Sequence, residues 1–520
     1  MAEEPDATPL ETATEAEIDP SPPPQAAPRK RRWGRLVGYG FLGLWLTVAT
    51  WNLFKPLPAG VSIRGEIVNT PLADLKFLSD VTSADVHGVP VIRQEIFDEV
   101  LRLIGAAREY LVLDFFLFNS HRGTDINAKP HRELSVELRD ALMARKRAEP
   151  GLRVLVIVDP INDVYGALPS RDLATLRGAG IDVVRVDLDA LRDSNPIYSA
   201  FWRLTMRWWS GDGRGEARFA NPLDAGPDRV SFGAWARLLN FKANHRKVVL
   251  GDDGRGGLTG ILTSANPHDA SSRHSNVAIR ASGSALLPLL ESELSLARAA
   301  GWKSDWRLPE LLPPVVVSPE TNARVQVLTE GEIGRALINN IAATRVGDTI
   351  DVAMFYLSER DTVRALISAA KRGVAVRVIL DPNKDAFGRT KNGIPNRSVA
   401  TELAGASDGA VKVRWFRTHG EQFHSKLVAM RTQDEFWFTL GSANLTRRNL
   451  ENYNLEANVG VSVPPNSQLA ASIAAWYEMI WTNRGPPDLE YTSEFGAYAD
   501  PSQGTYWLYR FMEATGLSTF

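Results

Sequence analysis

A layered α/β fold, laid down twice along the chain, is the architecture this sequence predicts. Three observations lead there. From about residue 60 onward, short apolar runs of strand character alternate with helical segments. The order of those segments recurs later in the chain. Each copy then carries a histidine two residues before a lysine, followed at nearly the same distance by Ser-Ala-Asn.

The segments before the repeat have a different character. Residues 1–28, "MAEEPDATPLETATEAEIDPSPPPQAAP", are acidic and proline-rich, which predicts a disordered tail. Residues 29–55 read as a basic flank, "RKRRWGR", and a transmembrane anchor. Its apolar part, Leu36–Phe54, carries no charge and is long enough to cross a bilayer. Trp33, Trp45 and Trp51 lie within or beside it, two of them near interface depth. The basic flank places the tail in the cytoplasm and everything after Lys55 on the non-cytoplasmic side, periplasmic or extracellular. A cleaved signal peptide is the competing reading, but the apolar run is long for one and "LPAG" (Leu57–Gly60) is a weak cleavage site.

In the first copy "EYLVLDFFLF" (Glu109–Phe118) is strand-like, "RELSVELRDALMARKRA" (Arg132–Ala148) helical, and "LRVLVIVDP" (Leu152–Pro160) a strand ending in a turn. In the second, "DTIDVAMFYL" (Asp348–Leu357), "DTVRALISAAKRG" (Asp361–Gly373) and "VAVRVILDP" (Val374–Pro382) repeat that order. The Asp-Pro loops Asp159–Gly166 and Asp381–Gly388 also share their Asp, Pro, Asp and Gly positions. Such alternation implies a mostly parallel sheet in each copy. The organisation expected is a first half at 60–310 with an insertion at 195–240, a second half at 320–485, and a C-terminal extension at 486–520.

Composition narrows the chemistry. The formal net charge of −2 over 520 residues weighs against a dedicated nucleic-acid binder. The absence of cysteine excludes disulfides and thiolate sites. The eight histidines form no HExxH-like spacing, so neither a metal nor another cofactor is implied. What remains are the two pairs, His245 with Lys247 and His424 with Lys426, each trailed by a Ser-Ala-Asn turn ending in Asn266 or Asn444. Residues two apart on a strand face one way, so each base and cation should project into one space.

With these paired H-x-K motifs and S-x-N turns the chain resembles the phospholipase D superfamily, through most of its length after about residue 60. The resemblance implies two similar α/β/α-layered halves sharing one active site at their interface. The family pattern is H-x-K-x4-D. The first copy fits it with His245, Lys247 and Asp252, although Asp252 also reads as a turn or surface ion-pair residue. In the second copy Arg431 stands at the aspartate position, and Asp434 is the nearest acid. Family histidines are often oriented by a carboxylate downstream of the S-x-N turn, and Glu456 sits there in the second copy. The corresponding stretch Ser271–Gly283 has no acid, and His274 lies near the aligned position. His245 is therefore expected to lack its usual partner unless Asp269 replaces it.

Phosphodiester exchange explains why these residue types are needed. One imidazole can attack phosphorus and form a phosphohistidine. A second can protonate the leaving alkoxide and then take a proton from an incoming water or alcohol. Two lysines and two asparagines can hold the non-bridging oxygens as charge redistributes. This chemistry assigns Lys247, Lys426, Asn266 and Asn444 as the oxygen holders, and the resemblance to family members that use the N-terminal motif implies His245 as nucleophile and His424 as acid/base.

Two segments bear on substrate. In the insertion, Ser199, Arg203 and Arg207 form a polar stripe on a helix otherwise covered by Ile197, Phe201, Trp202, Met206, Trp208 and Trp209. That composition suits a membrane interface or a helix packed over the active-site mouth. The loop after Asp381 adds Lys384, Arg389, Lys391 and Arg397, a basic mouth suited to a lipid headgroup or a nucleic-acid backbone. The function expected is a membrane-anchored enzyme acting on phospholipids, by transfer to an alcohol or by hydrolysis with water. The alternatives are a phosphodiesterase acting on nucleic acid and a non-catalytic member that binds lipids or envelope proteins.

Overall fold

The structure, a computed structural model, describes residues 30–85, 87–124, 131–210, 213, 215–306, 323–485 and 489–520. The tail expected at 1–28 lies outside the described residues. Two units are distinguished, Met1–Leu46 and Thr47–Phe520. Helix α1 (Lys30–Phe54) begins in the first and ends in the second. Its Trp33–Phe54 portion is long and apolar enough to cross a membrane, with a mean hydropathy of 1.3. Only 6% of that apolar window is buried, so its side chains are not used to build a core.

In the second unit, strands β1 (Leu75–Asp85), β2 (Tyr110–Phe115), β3 (Arg153–Val158), β4 (Asp182–Arg185), β5 (Lys247–Asp252), β6 (Leu258–Thr263) and β7 (Asn276–Ser282) form one sheet. Their spatial order is β1-β7-β6-β5-β2-β3-β4. A second sheet contains β8 (Ala323–Thr329), β9 (Thr349–Met354), β10 (Ala375–Leu380), β11 (Lys412–Phe416), β12 (Lys426–Arg431), β13 (Phe436–Gly441) and β14 (Ala457–Val463). Its order, β8-β14-β13-β12-β9-β10-β11, repeats the first strand for strand.

The sheets are not mostly parallel, contrary to the expectation from the alternating pattern. Only β2-β3-β4 and β9-β10-β11 run parallel, while the other pairs are antiparallel. The reason lies in the connections. Helices Leu134–Ala148 and Arg360–Lys371 supply the crossovers that a parallel pair requires, whereas β5-β6 and β12-β13 are joined by short turns that can only return the chain antiparallel.

The two sheets share one core, in which Val112, Leu155, Val248 and Ile279 lie in the same cluster as Val325, Leu427, Phe438 and Val461. Each sheet also takes an edge strand from elsewhere in the chain. Val68–Thr70 pairs with β8, and Leu489–Glu490 pairs with β1. A buried charge cluster ties the halves together behind β5. Arg246 is fully buried and reaches Glu293 at 3.2 Å, Glu330 at 2.7 Å and the Val61 carbonyl at 2.9 Å.

The insertion folds as helix α2 (Pro196–Leu204), a tight turn Met206–Trp208, a short hairpin and a helix Phe232–Leu238. The aromatic helix expected to continue to Trp209 therefore stops at Leu204. Ser199 and Trp202 are buried, Arg203 pairs with Asp193 at 2.9 Å, and Arg207 pairs with Asp189 at 3.2 Å.

Candidate active site

The two motifs are held by matching hydrogen bonds. Asp159 of the first Asp-Pro turn accepts from the Asn244 amide at 2.7 Å, and Asp381 of the second accepts from the Phe423 amide at 2.8 Å. Each aspartate thus fixes the residue just before a histidine. The histidines themselves precede the strands, since β5 starts at Lys247 and β12 at Lys426. Each lysine folds back, Lys247 Nζ donating to the His245 carbonyl at 2.6 Å and Lys426 Nζ to the His424 carbonyl at 2.9 Å. Phe116 and Phe355 form equivalent walls, each with its ring centroid 4.9 Å from the neighbouring imidazole.

The segments carrying the histidines are bonded across the halves. His245 donates its backbone N–H to the Leu455 carbonyl at 2.9 Å, and Ser275 donates to the Gln422 carbonyl at 3.0 Å. That crossing decides the partners. Glu456 Oε1 lies 2.8 Å from His245 Nδ1, so the second half supplies the carboxylate for the first histidine. Ser442 and Asn449 also donate to Glu456 and fix its orientation. His245 is therefore not left without a carboxylate. Asp269, the expected substitute, instead accepts from the Ser135 amide at 3.0 Å.

The reciprocal position belongs to Asn276, whose Oδ1 lies 3.1 Å from His424 Nδ1. The Asn276 Nδ2 donates to the His274 carbonyl at 3.0 Å and Ser264 donates to its Oδ1 at 2.9 Å, which sets the amide so that oxygen faces the ring. Both histidines therefore carry hydrogen on Nδ1 and present Nε2 to the site, but only one is backed by a negative charge. Sequence reasoning missed Asn276. The usable signal was the serine of each Ser-Ala-Asn turn, since Ser264 bonds Asn276 as Ser442 bonds Glu456.

Electrostatics follow from this arrangement. Burial pulls His245 down to about 4, opposed by Glu456 and reinforced by Lys247. His424 is held well below its ordinary value by burial, then by Lys426, His274, Lys247 and His245, with no carboxylate to oppose them. Burial lowers Lys247 to about 7, and burial together with Lys247 takes Lys426 well below an ordinary ammonium. Burial would raise the Glu456 carboxyl, but His245, Lys247 and Ser442 outweigh it and leave it below its usual range. Cationic groups crowded around one carboxylate form a site for an anion, whose arrival would favour their protonated forms.

The remaining expected residues separate into groups. Asn266 and Asn444 are buried; Asn266 Oδ1 accepts from the Leu117 amide at 3.1 Å, and Asn444 Oδ1 has no hydrogen-bond partner among the described residues. Asp252 sits at the far end of β5 from Lys247 and accepts from the amides of Arg108, Glu109, Tyr110 and Gly254, which makes it a brace for the preceding loop. Arg431 likewise ends β12, donating to the Pro465 carbonyl at 2.6 Å, with Asp434 in the turn beyond. In the basic loop, Lys384 pairs with Asp385, Arg389 donates to the Pro222 carbonyl and Arg397 to the Pro382 carbonyl. Lys391 alone of the four reaches the site wall, donating to Tyr356 and lying 5.5 Å from the Phe355 ring centre.

Residues 337–481 match the family model described as "Cardiolipin synthase, PLD-like domain". No curated protein sequence matches the chain. Among solved structures, phosphatidylserine synthase of Haemophilus influenzae Rd KW20 is similar in fold, with a TM-score of 0.55 and 13% identity over 90% of this chain and 98% of that one. Polyphosphate kinase of Porphyromonas gingivalis gives a TM-score of 0.39 at 14% identity, over 85% of this chain and 53% of that one. Nuc of Salmonella typhimurium, a phospholipase D family member, gives 0.26 at 20% identity, over 32% of this chain and 97% of that one. The family model thus matches the second half, and the first half repeats that region's strand order and its His-x-Lys motif.

Proposed function

We propose that this chain is a membrane-anchored enzyme that cleaves or exchanges a phosphodiester bond of a phospholipid through a phosphohistidine on His245. The observation that carries the reading is the pair of imidazoles with unlike partners, Glu456 on His245 and Asn276 on His424. Glu456 stabilises the positive charge that His245 acquires on bonding to phosphorus, which makes His245 the better nucleophile. His424, with a neutral amide behind it, gives up a proton from Nε2 readily and suits the leaving oxygen.

In the first step His245 Nε2 bonds to phosphorus, the bond to the leaving oxygen breaks, and the His424 proton goes to that oxygen. In the second, His424 takes a proton from water or an alcohol whose oxygen bonds to phosphorus, and the N–P bond breaks. Lys247 and Lys426 neutralise the non-bridging oxygens in both steps, with Asn266 and Asn444 as amide donors. The family model's cardiolipin synthase description, the fold likeness to a phosphatidylserine synthase and the bilayer-length helix favour a lipid substrate. The positive-inside bias of the flank before α1 supports a catalytic region on the non-cytoplasmic side.

The test is incubation of the purified full-length chain with vesicles of phosphatidylglycerol, phosphatidylethanolamine or phosphatidylcholine, with lipid products read by mass spectrometry. Turnover of at least one lipid is expected, with acid-labile phosphate on His245 and loss of both signals in His245→Ala. Cleavage of nucleic acid without any lipid turnover would replace this reading with the nuclease one, and an intermediate on His424 would exchange the two roles.

A further inference from the structure

The catalytic body carries an exposed aromatic patch beside the point where α1 joins it. The last turns of α1, Thr47–Phe54, belong to the same compact unit as the two sheets. They are fixed to the segment that leads into α2. The Asp193 amide donates to the Asn52 carbonyl at 2.9 Å. Lys55 Nζ donates to the Asp189 carbonyl at 2.6 Å, and Arg192 Nε donates to the Lys55 carbonyl at 2.8 Å. Asn52 is buried, and Val61 a few residues on is part of the core. The chain therefore meets the body at a clamped junction.

From that junction the chain runs directly into α2 and the turn after it, and Arg207 of this turn reaches back to Asp189 at 3.2 Å. Here Phe201, Trp208 and Trp209 project outward, with Trp208 78% and Trp209 67% exposed. Trp209 stacks on Phe232 with ring centres 5.5 Å apart, and Phe232 meets Phe219 at 6.1 Å, so the patch continues across the hairpin of the insertion. Phe219 and Phe232 are also exposed. Large aromatics grouped this way on a surface mark an interaction site, and tryptophan with flanking arginine suits the headgroup zone of a bilayer.

We infer that the patch of Phe201, Trp208, Trp209, Phe219 and Phe232 lies in the interface of the bilayer that α1 crosses. This rests on the reading of α1 as a membrane span. A partner protein would account for an aromatic patch but not for its place at the clamped end of a membrane-length helix. Contact with the bilayer would make the aromatic insertion, absent from the second half, a second point of membrane attachment beside α1.

The chain contains no cysteine, so single nitroxide labels report single positions. The full-length protein is reconstituted in phosphatidylglycerol–phosphatidylethanolamine vesicles with a label at Trp208→Cys, Trp209→Cys, Phe219→Cys, Leu44→Cys or Val346→Cys. Val346, in the second half, is a surface control, 78% exposed. Collision with oxygen, which concentrates in lipid, is compared with collision with a water-soluble nickel chelate. Labels at 208, 209 and 219 should favour oxygen over the chelate, as Leu44 does, while Val346 favours the chelate. A lipid-exposed Leu44 label with labels at 208, 209 and 219 as chelate-accessible as Val346 would overturn the docking face and leave the anchor standing. A chelate-accessible Leu44 label would remove the anchor, and the docking face with it.

Discussion

Replacing Asn276 by aspartate tests whether the two histidines owe their roles to unlike partners. The substitution puts a carboxylate where the amide oxygen now stands, 3.1 Å from His424 Nδ1. Opposite unit charges about 3.5 Å apart interact by about 5 kcal/mol at an effective dielectric near 20. Burying the new charge consumes part of this, and losing the Nδ2 bond to the His274 carbonyl costs about 1 kcal/mol. A carboxylate beside a cation commonly shifts a pKa by about 1–3 units, each worth about 1.4 kcal/mol. The groups facing His424 are Lys426 at the start of β12, Lys247 and His245 from β5 and its approach, and His274 from the loop before β7. None opposes the loss of its proton, so Asn276→Asp should raise it by about 1–3 units.

The pH dependence of kcat/KM for vesicle lipid reads both histidines of the free enzyme. One break of the profile should sit near 4 and follow His245, which must be unprotonated to attack. The other should follow His424, which must hold its proton as the acid, and only this break should move upward, by about 1–3 pH units, in Asn276→Asp. A profile in which neither break moves, or in which only the His245 break moves, would refute the assignment of His424 as the proton donor.

Other expectations concern charge. Arg246→Met would leave Glu293 and Glu330 buried without their cation, so unfolding free energy should fall by about 3–5 kcal/mol in urea titrations. Sulfate, whose own charge is constant over this range, should bind best below pH 7, where Lys247 is protonated in the free protein. Because anion binding raises that pKa, affinity should fall with each pH unit above about 7, by up to about tenfold for one coupled proton. Calorimetric affinities that are flat from pH 6 to 9 would show that Lys247 is not coupled to the anion.

Much of this molecule is legible in its sequence, and the illegible parts share a cause. The duplicated order, the two His-x-Lys pairs and the apolar N-terminal run are local patterns, and periodicity and spacing expose them. The sheet's direction was misjudged because alternation reports helices between β2, β3 and β4 but says nothing about tight returns such as β5 to β6. Asn276 escaped notice because its importance comes from a contact 148 residues away in sequence. Glu456 was recognised, but its partner is His245, 211 residues away, rather than the histidine of its own half. The aspartates of the repeated Asp-Pro turns were visible as a repeat, yet their bonds to Asn244 and Phe423 belong to tertiary structure.

Neither half could hold this site alone. The first half positions the approach to His245 with Asp159, but the carboxylate on His245 Nδ1 comes from Glu456 in the second. The second half positions the approach to His424 with Asp381, and the amide on that ring comes from Asn276 in the first. Arg246, next to His245, pairs with Glu293 of the first half and Glu330 of the second, and Glu330 Oε1 also accepts the Glu456 amide at 3.1 Å. The buried charge cluster, the carboxylate and the first imidazole are thus linked through successive hydrogen bonds across the shared core. Separating the halves would expose that core and strand each imidazole without its Nδ1 acceptor. The exchange of one carboxylate for an amide within this symmetric frame is what makes two similar histidines chemically different.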